Sequence, residues 1–252
     1  NISMKKIHLL STLFVSFYFN VFASSQKNIT FLIAEREYKT EETLPKFAEE
    51  FLSENFSIQF CKAPSEGNQR NHIANSSAIP KADLLFISVR RRAFKEETME
   101  QIRSHIAKGK PIIGIRTASH AFQLRKEKLP IGHQEWPEWD REIIGGNYDG
   151  HYGKELICTV QLGINSRHHP ILEKIKLPFI TPASLYRNSP LPNSSTALLV
   201  GSVKGFSPEP VAWVHRTKFK GKVFYTSLGH EEDFQKESFQ ILLKNAVNWC
   251  MN

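Results

Sequence analysis

The stretch Lys110-Pro111-Ile112-Ile113-Gly114-Ile115-Arg116-Thr117-Ala118-Ser119-His120-Ala121-Phe122 decides the fold. An apolar run of strand length, set off by Gly109 and Pro111, passes into a polar Arg-Thr-Ala-Ser-His turn that reads as the start of a helix. Two further apolar runs, residues 29–34 and 82–89, precede it, and residues 57–61 alternate as a strand does. Between them, residues 43–55 carry Leu44, Phe47, Phe51 and Leu52 at helical spacing. Residues 96–108 place Met99, Ile102 and Ile106 on one side, and a basic last turn, Gly109 and Pro111 end that helix. Strand, helix, strand, strand, helix, strand predicts an α/β fold with a mainly parallel central sheet covered on both faces.

Outward from that core, strands are expected at 156–162, 196–201, 211–215 and 223–226, and a last helix over 235–250 with Phe239, Leu242, Leu243, Ala246, Val247 and Trp249 as its apolar positions. Residues 125–153 break the rhythm. They hold Trp136, Trp139 and four glycines from Gly145 to Gly153, and read as a long ordered loop of the kind that carries function. No repeat, low-complexity tract or linker interrupts the chain, so one domain over residues 24–252 is expected.

Residues 1–23 are read as a leader and secretory signal peptide. Met4-Lys5-Lys6 precedes a mostly apolar run, and Val21 and Ala23 suit the cleavage positions. The run is short for a membrane span and no basic stop-transfer cluster follows. The expected destination is therefore export, to the periplasm or the medium, with no stable membrane span after cleavage. Setting those residues aside removes Lys5 and Lys6, so the formal charge of the 252-residue chain falls from +8 to +6. The basic residues are scattered. Arg90-Arg91-Arg92, their one tight run, reads as a solvated loop, and no nucleic-acid motif is found, so no nucleic-acid partner is expected. Cys61, Cys158 and Cys250 form no metal-binding pair and read best as small buried hydrophobes.

Three segments carry candidate chemistry. In open α/β sheets ligands bind at the carboxyl ends of strands, so Arg116, Ser119 and His120 fall at the mouth of such a crevice. The competing reading has Thr117 or Ser119 capping a helix with His120 packed beside it. After the late strand, Gly229 turns the chain into His230-Glu231-Glu232, where a histidine and a carboxylate are suited to moving protons near neutral pH, or form a plain polar loop. The segment Gly145-Gly146-Asn147-Tyr148-Asp149-Gly150-His151-Tyr152-Gly153 offers close backbone approach and side chains that hydrogen-bond and stack on sugars. A tight hairpin is the alternative.

Together these blocks resemble the ThuA-like, trehalose-utilisation family within the class I glutamine amidotransferase-like superfamily. The resemblance spans residues 28–251. It rests on Glu37-Tyr38-Lys39-Thr40, Ala82-Asp83, Gly114-Ile115-Arg116 with Ser119-His120, Gly145-Gly146 with Gly150-His151, His169-Pro170-Ile171, Pro210-Val211-Ala212-Trp213, and Val223 to His230. It implies a flavodoxin-like α/β/α sandwich and a link to carbohydrate metabolism. It also implies that Arg116 stands where an amidotransferase has its nucleophilic Cys, so glutamine hydrolysis is not expected.

The functional expectation is an exported protein acting on a sugar or keto-glycoside. His120, His230 and Glu231 would be catalytic, and Arg116, Ser119, Tyr38, Asn147, Tyr148 and His151 substrate-binding. The three histidines are expected to converge, with a divalent metal among them as an open option and no flavin or nucleotide. The alternative is a non-catalytic sugar-binding or interaction module with an aromatic site of Tyr38, Trp136, Trp139 and Tyr148.

Overall fold

A computed structural model describes residues 26–153, 156–164 and 166–252. The expected signal peptide lies outside them. Among the described residues eleven strands form: β1 (Asn28–Ala34), β2 (Ser57–Lys62), β3 (Leu84–Val89), β4 (Phe94–Lys95), β5 (Ile112–Ile115), β6 (His133–Gln134), β7 (Cys158–Leu162), β8 (Phe179–Thr181), β9 (Ser195–Ser202), β10 (Glu209–Arg216) and β11 (Lys222–Thr226). The α-helices are α1 (Thr40–Phe51), α2 (Glu96–Ala107) and α3 (Glu237–Met251). Nine strands make one sheet in the order β2-β1-β3-β5-β11-β10-β9-β7-β8. The first five are mutually parallel, and the remaining four extend the sheet in antiparallel fashion. Strands β4 and β6 pair separately.

The period-2 rule explains the layers. Along β1, Ile29, Phe31 and Ile33 face the side covered by α1 and α3, where they pack with Leu44, Phe47, Phe239 and Leu243. Leu32 and Ala34 face the other side, with Met99, Ile102 and Ile106 of α2. Both faces of β1, β3, β5 and β11 are thereby buried, while the edge strand β2 stays partly exposed, the flavodoxin-like α/β sandwich that the apolar runs imply.

Most element ends fall within two residues of the sequence reading, and two of the larger differences each have a local reason. Helix α1 begins at Thr40 rather than at residue 43. Glu35, buried just after β1, accepts the N–H groups of Glu37 (2.6 Å) and Thr40 (3.0 Å) and the Thr40 hydroxyl (3.0 Å), which fixes the loop and starts the helix early. After β5 no α-helix forms. The chain makes a single 3-10 turn over Arg116–His120, and carbonyls that a helix would have used are taken by distant partners. Arg91 N–H donates to the His120 carbonyl (3.1 Å), Arg92 N–H to that of Ala121 (2.7 Å) and Trp136 N–H to that of Phe122 (2.6 Å). Helix capping by Thr117 or Ser119 therefore does not arise, and the Thr117 hydroxyl is buried without a partner.

Candidate functional site

One cleft of about 1310 Å³ lies where the parallel strands end. Its floor comes from residues just past the carboxyl ends of four of them: Tyr38 after β1, Arg90 and Arg91 after β3, Arg116 to His120 after β5, and His230 after β11. That is the crevice in which open α/β sheets bind ligands. The wall is the loop from Trp136 to His151 together with Ser184 to Arg187.

Arg116 occupies the sharp turn itself. Its φ of 52° puts a non-glycine residue in the left-handed region, a strain characteristic of functional turns. The side chain is buried. Nη1 donates to the Ser184 carbonyl (3.1 Å) and to that of Ser227, and Nη2 donates to Ser184 Oγ (2.7 Å) and Tyr38 Oη (3.2 Å). The guanidinium lies between two rings, 4.5 Å from the Tyr38 centroid and 4.1 Å from that of Tyr186. Arg116 thus builds the floor of the cleft. Four of its five N–H donors are already engaged, and the fifth, Nε, is buried and finds no partner among the described residues.

His120 is buried and stacks on Tyr148, with ring centroids 4.4 Å apart. Its Nδ1 shares a 3.0 Å hydrogen bond with Ser119 Oγ, leaving Nε2 for the cleft. Burial, and then the charges of Arg91, Arg90, Arg116 and Arg125, hold its pKa well below the usual histidine value, so the imidazole is neutral at neutral pH.

Tyr148 is placed by Asp140, whose Oδ2 accepts the Tyr148 backbone N–H at 2.7 Å. Burial pushes the Asp140 carboxyl up to about 7 against the pull of that hydrogen bond, and its Oδ1 is sealed without a partner. Gly146 permits this, because a β-carbon there would stand 2.5 Å from Asp140 Oδ1.

The glycine-rich segment does not close on itself as a hairpin. It pairs with the distant segment 185–187: His151 bridges Tyr186, Arg187 N–H donates to the Gly150 carbonyl, and Tyr152 N–H to that of Leu185, each at 2.9 Å. The pairing delivers Tyr186 to the centre of the site. Its ring lies 4.8 Å from Tyr148, 6.0 Å from His120 and 6.4 Å from His151.

The three histidines therefore line one cleft, each against a tyrosine. His230 meets Tyr38 edge-on at 6.3 Å, while His151 is exposed with Nδ1 on the Tyr152 carbonyl. Asn147 stands exposed on the same wall. Glu231 does not join them. Its carboxylate pairs with Lys39 at 2.7 Å, and the His230 ring instead accepts the Glu232 N–H as a turn cap. A metal among the histidines does not fit either: among the described residues no three His, Cys, Asp or Glu side chains gather closely enough to hold an ion. Trp139 is a core residue, donating to the Ala118 carbonyl (2.7 Å), and Trp136 packs under Arg103. The Arg90-Arg91-Arg92 run is not a solvated loop. Arg92 is buried, and Arg90 and Arg91 are half-buried along the cleft.

Sequence reasoning missed Tyr186, Ser184, Asp140 and the arginine run. Only the arginines left a signal, their position directly after a central strand.

The ThuA family profile, described as trehalose utilisation, matches residues 30–250. Among proteins with curated descriptions none matches. A ThuA-like protein from Parabacteroides merdae superposes with a TM-score of 0.67 at 16% identity, over 90% of each chain. The mmIFT52 N-terminal domain is similar at TM-score 0.57 and 16% identity, over 90% of this chain and 98% of that one. SMU.1228c follows at 0.50 and 11%, over 89% and 100%. At such identities these likenesses speak to the fold alone.

Proposed function

From the premise that this chain belongs to the ThuA family, described as trehalose utilisation, we propose that it is a carbohydrate-processing enzyme. In this reading it acts on a sugar or keto-glycoside by proton transfer through neutral His120. The observation that carries the reading is the state of His120: buried, uncharged and stacked on Tyr148, with Nδ1 engaged by Ser119. With Nδ1 donating to Ser119 Oγ, Nε2 presents a bare lone pair. That lone pair takes a proton from a hydroxyl, or from a carbon beside a carbonyl. In the second case the electron pair moves to the carbonyl oxygen, and guanidinium groups nearby stabilise the charge that develops there. Tyr38, Tyr148 and Tyr186 supply faces on which a sugar ring stacks.

Turnover of trehalose and of its 3-keto form by the wild type and by His120→Gln tests this. The variant is expected to lose roughly 10²–10⁴-fold in rate while still binding sugar. Equal rates would remove His120 from the mechanism. The second reading is a sugar-binding module without turnover, favoured by Arg116 standing on the strained turn with most of its donors already used. Saturable binding with no reaction on either substrate would decide for it. Export is part of the proposal, on the strength of the N-terminal apolar run, and a mature N-terminus at Ser24 in the extracytoplasmic fraction is the expected result.

A further inference from the structure

We propose that the cleft takes an anionic saccharide, and that Arg91 and Arg125, backed by Arg90 and Arg116, bind a compact oxyanion on it, a carboxylate or a phosphate, beside His120. The inference rests on the reading of the cleft as a carbohydrate site and names the substrate class.

The charges of the site do not balance. Glu37 is taken by Arg90 at 2.8 Å and Asp149 by Arg187 at 3.3 Å. Among the described residues, the guanidiniums of Arg91, Arg116 and Arg125 have no carboxylate within 4.0 Å, although all three residues line the cleft; Glu127 accepts the Arg125 backbone N–H at 3.4 Å, but its charge is paired with Arg70. Asp140 offers no counter-charge while it holds its proton, and the other cleft carboxylates, Glu138 and Glu232, are exposed. Buried charges are ordinarily paired, so a cluster of half-buried and buried guanidiniums with Glu37 as its one paired acid among the described residues is costly unless something anionic sits among them.

The backbone is arranged to hold the cluster. Arg91 and Arg116 follow the neighbouring strands β3 and β5, and both adopt φ of 52°. Two non-glycine residues in the left-handed region, side by side at the carboxyl ends of adjacent parallel strands, are a costly feature, and the bond from Arg91 N–H to the His120 carbonyl ties the two turns together. The guanidiniums are also incompletely satisfied among the described residues. Nε of Arg90 and Nε of Arg116 are buried without partners, and Arg91 has one long bond, to the Gln123 carbonyl at 3.4 Å. The planar fork of arginine suits carboxylate and phosphate oxygens, whereas a neutral sugar needs no such excess of positive charge.

The test is calorimetric titration of the intact protein with D-glucose, D-glucuronate, glucose 6-phosphate, inorganic phosphate and acetate, at low salt and at 0.5 M NaCl. The variants are Arg91→Asn, which tolerates the left-handed backbone, and the exposed Arg125→Gln, which leaves the fold untouched. One of the two anionic sugars is expected to bind about tenfold or more tightly than glucose. That preference should shrink in salt and in each variant, and the preferred acid identifies the oxyanion. Glucose binding as tightly as both acids overturns the oxyanion subsite and leaves the sugar cleft standing. Inorganic phosphate or acetate binding through Arg91 with no saccharide bound overturns the carbohydrate reading instead.

Discussion

His120 and Asp140 meet at Tyr148, one through its ring and one through its backbone, and their environments push their titrations in opposite directions. The consequences for stability can be signed. Asp140 keeps its proton up to about pH 7 in the folded chain, but only to about 3.8 when unfolded. Between those values the folded state holds a proton that the unfolded state has released, so stability falls as pH rises through the window. His120 acts on the acid side: below about 6.5 the unfolded chain accepts a proton that the folded one refuses, so stability falls as pH drops. Urea unfolding of wild type and Asp140→Asn from pH 4.5 to 8 checks the first claim. The variant is expected to gain on the wild type as pH rises to about 7 and to keep a constant difference above it, and parallel curves throughout would refute it. The site at this scale was partly legible. Arg116, Ser119 and His120 sit on a strand-to-turn junction whose pattern shows in the sequence. Tyr186 does not, because it reaches the centre from an irregular segment through pairing with a loop 35 residues earlier, and no local periodicity encodes such a bridge. Glu231 and Glu232 are adjacent carboxylates, and only the turn decides which faces Lys39.

The turn after β11 shows how one side chain can set an element. Asp233, fully buried, accepts from Thr181 Oγ1 (2.9 Å), Gly229 N–H (3.0 Å) and His230 N–H (3.1 Å) through a single oxygen. His230 caps the same turn from the other side. Together they join β8 to the start of α3 and fix where the His230 ring meets Tyr38. Replacing Asp233 with Ala orphans three donors, two of them buried, and is expected to cost about 2–4 kcal/mol. Equilibrium denaturation reads that loss, and a change below about 0.5 kcal/mol would mean that the turn is held by other contacts. Elements driven by burial were legible in the sequence: β1, β3, β5, α2 and α3 follow from apolar runs and spacing. The helix expected after β5 was not available to that reasoning, because the competitors for its carbonyls are the backbone N–H groups of Arg91, Arg92 and Trp136, which come from other strands and loops.

For the whole molecule, the three cysteines join composition to architecture. Cys61 packs with the α2 face of the sheet, while Cys158 and Cys250 belong to the cluster on the α1 and α3 side. All are free and buried, and burial pushes their thiols up, to about 12 for Cys61, about 11 for Cys158 and about 12 for Cys250. A thiol reacts as its thiolate, so these are inert while the fold is intact. The expectation of small buried hydrophobes follows from chain length, because a chain of 252 residues buries enough apolar surface to fold without cross-links. Under the proposal of export this carries weight, because in an oxidising compartment oxidation acts on whatever thiols the structure exposes. The native chain is therefore expected to show no reaction with Ellman's reagent over minutes at pH 8, and three equivalents in 6 M guanidinium chloride. Its unfolding midpoint should be the same with and without dithiothreitol. A fast-reacting native thiol, or a midpoint lowered by the reductant, would show that the sheet admits reagent or that a disulfide forms, and either result would overturn the account of a core closed by packing alone.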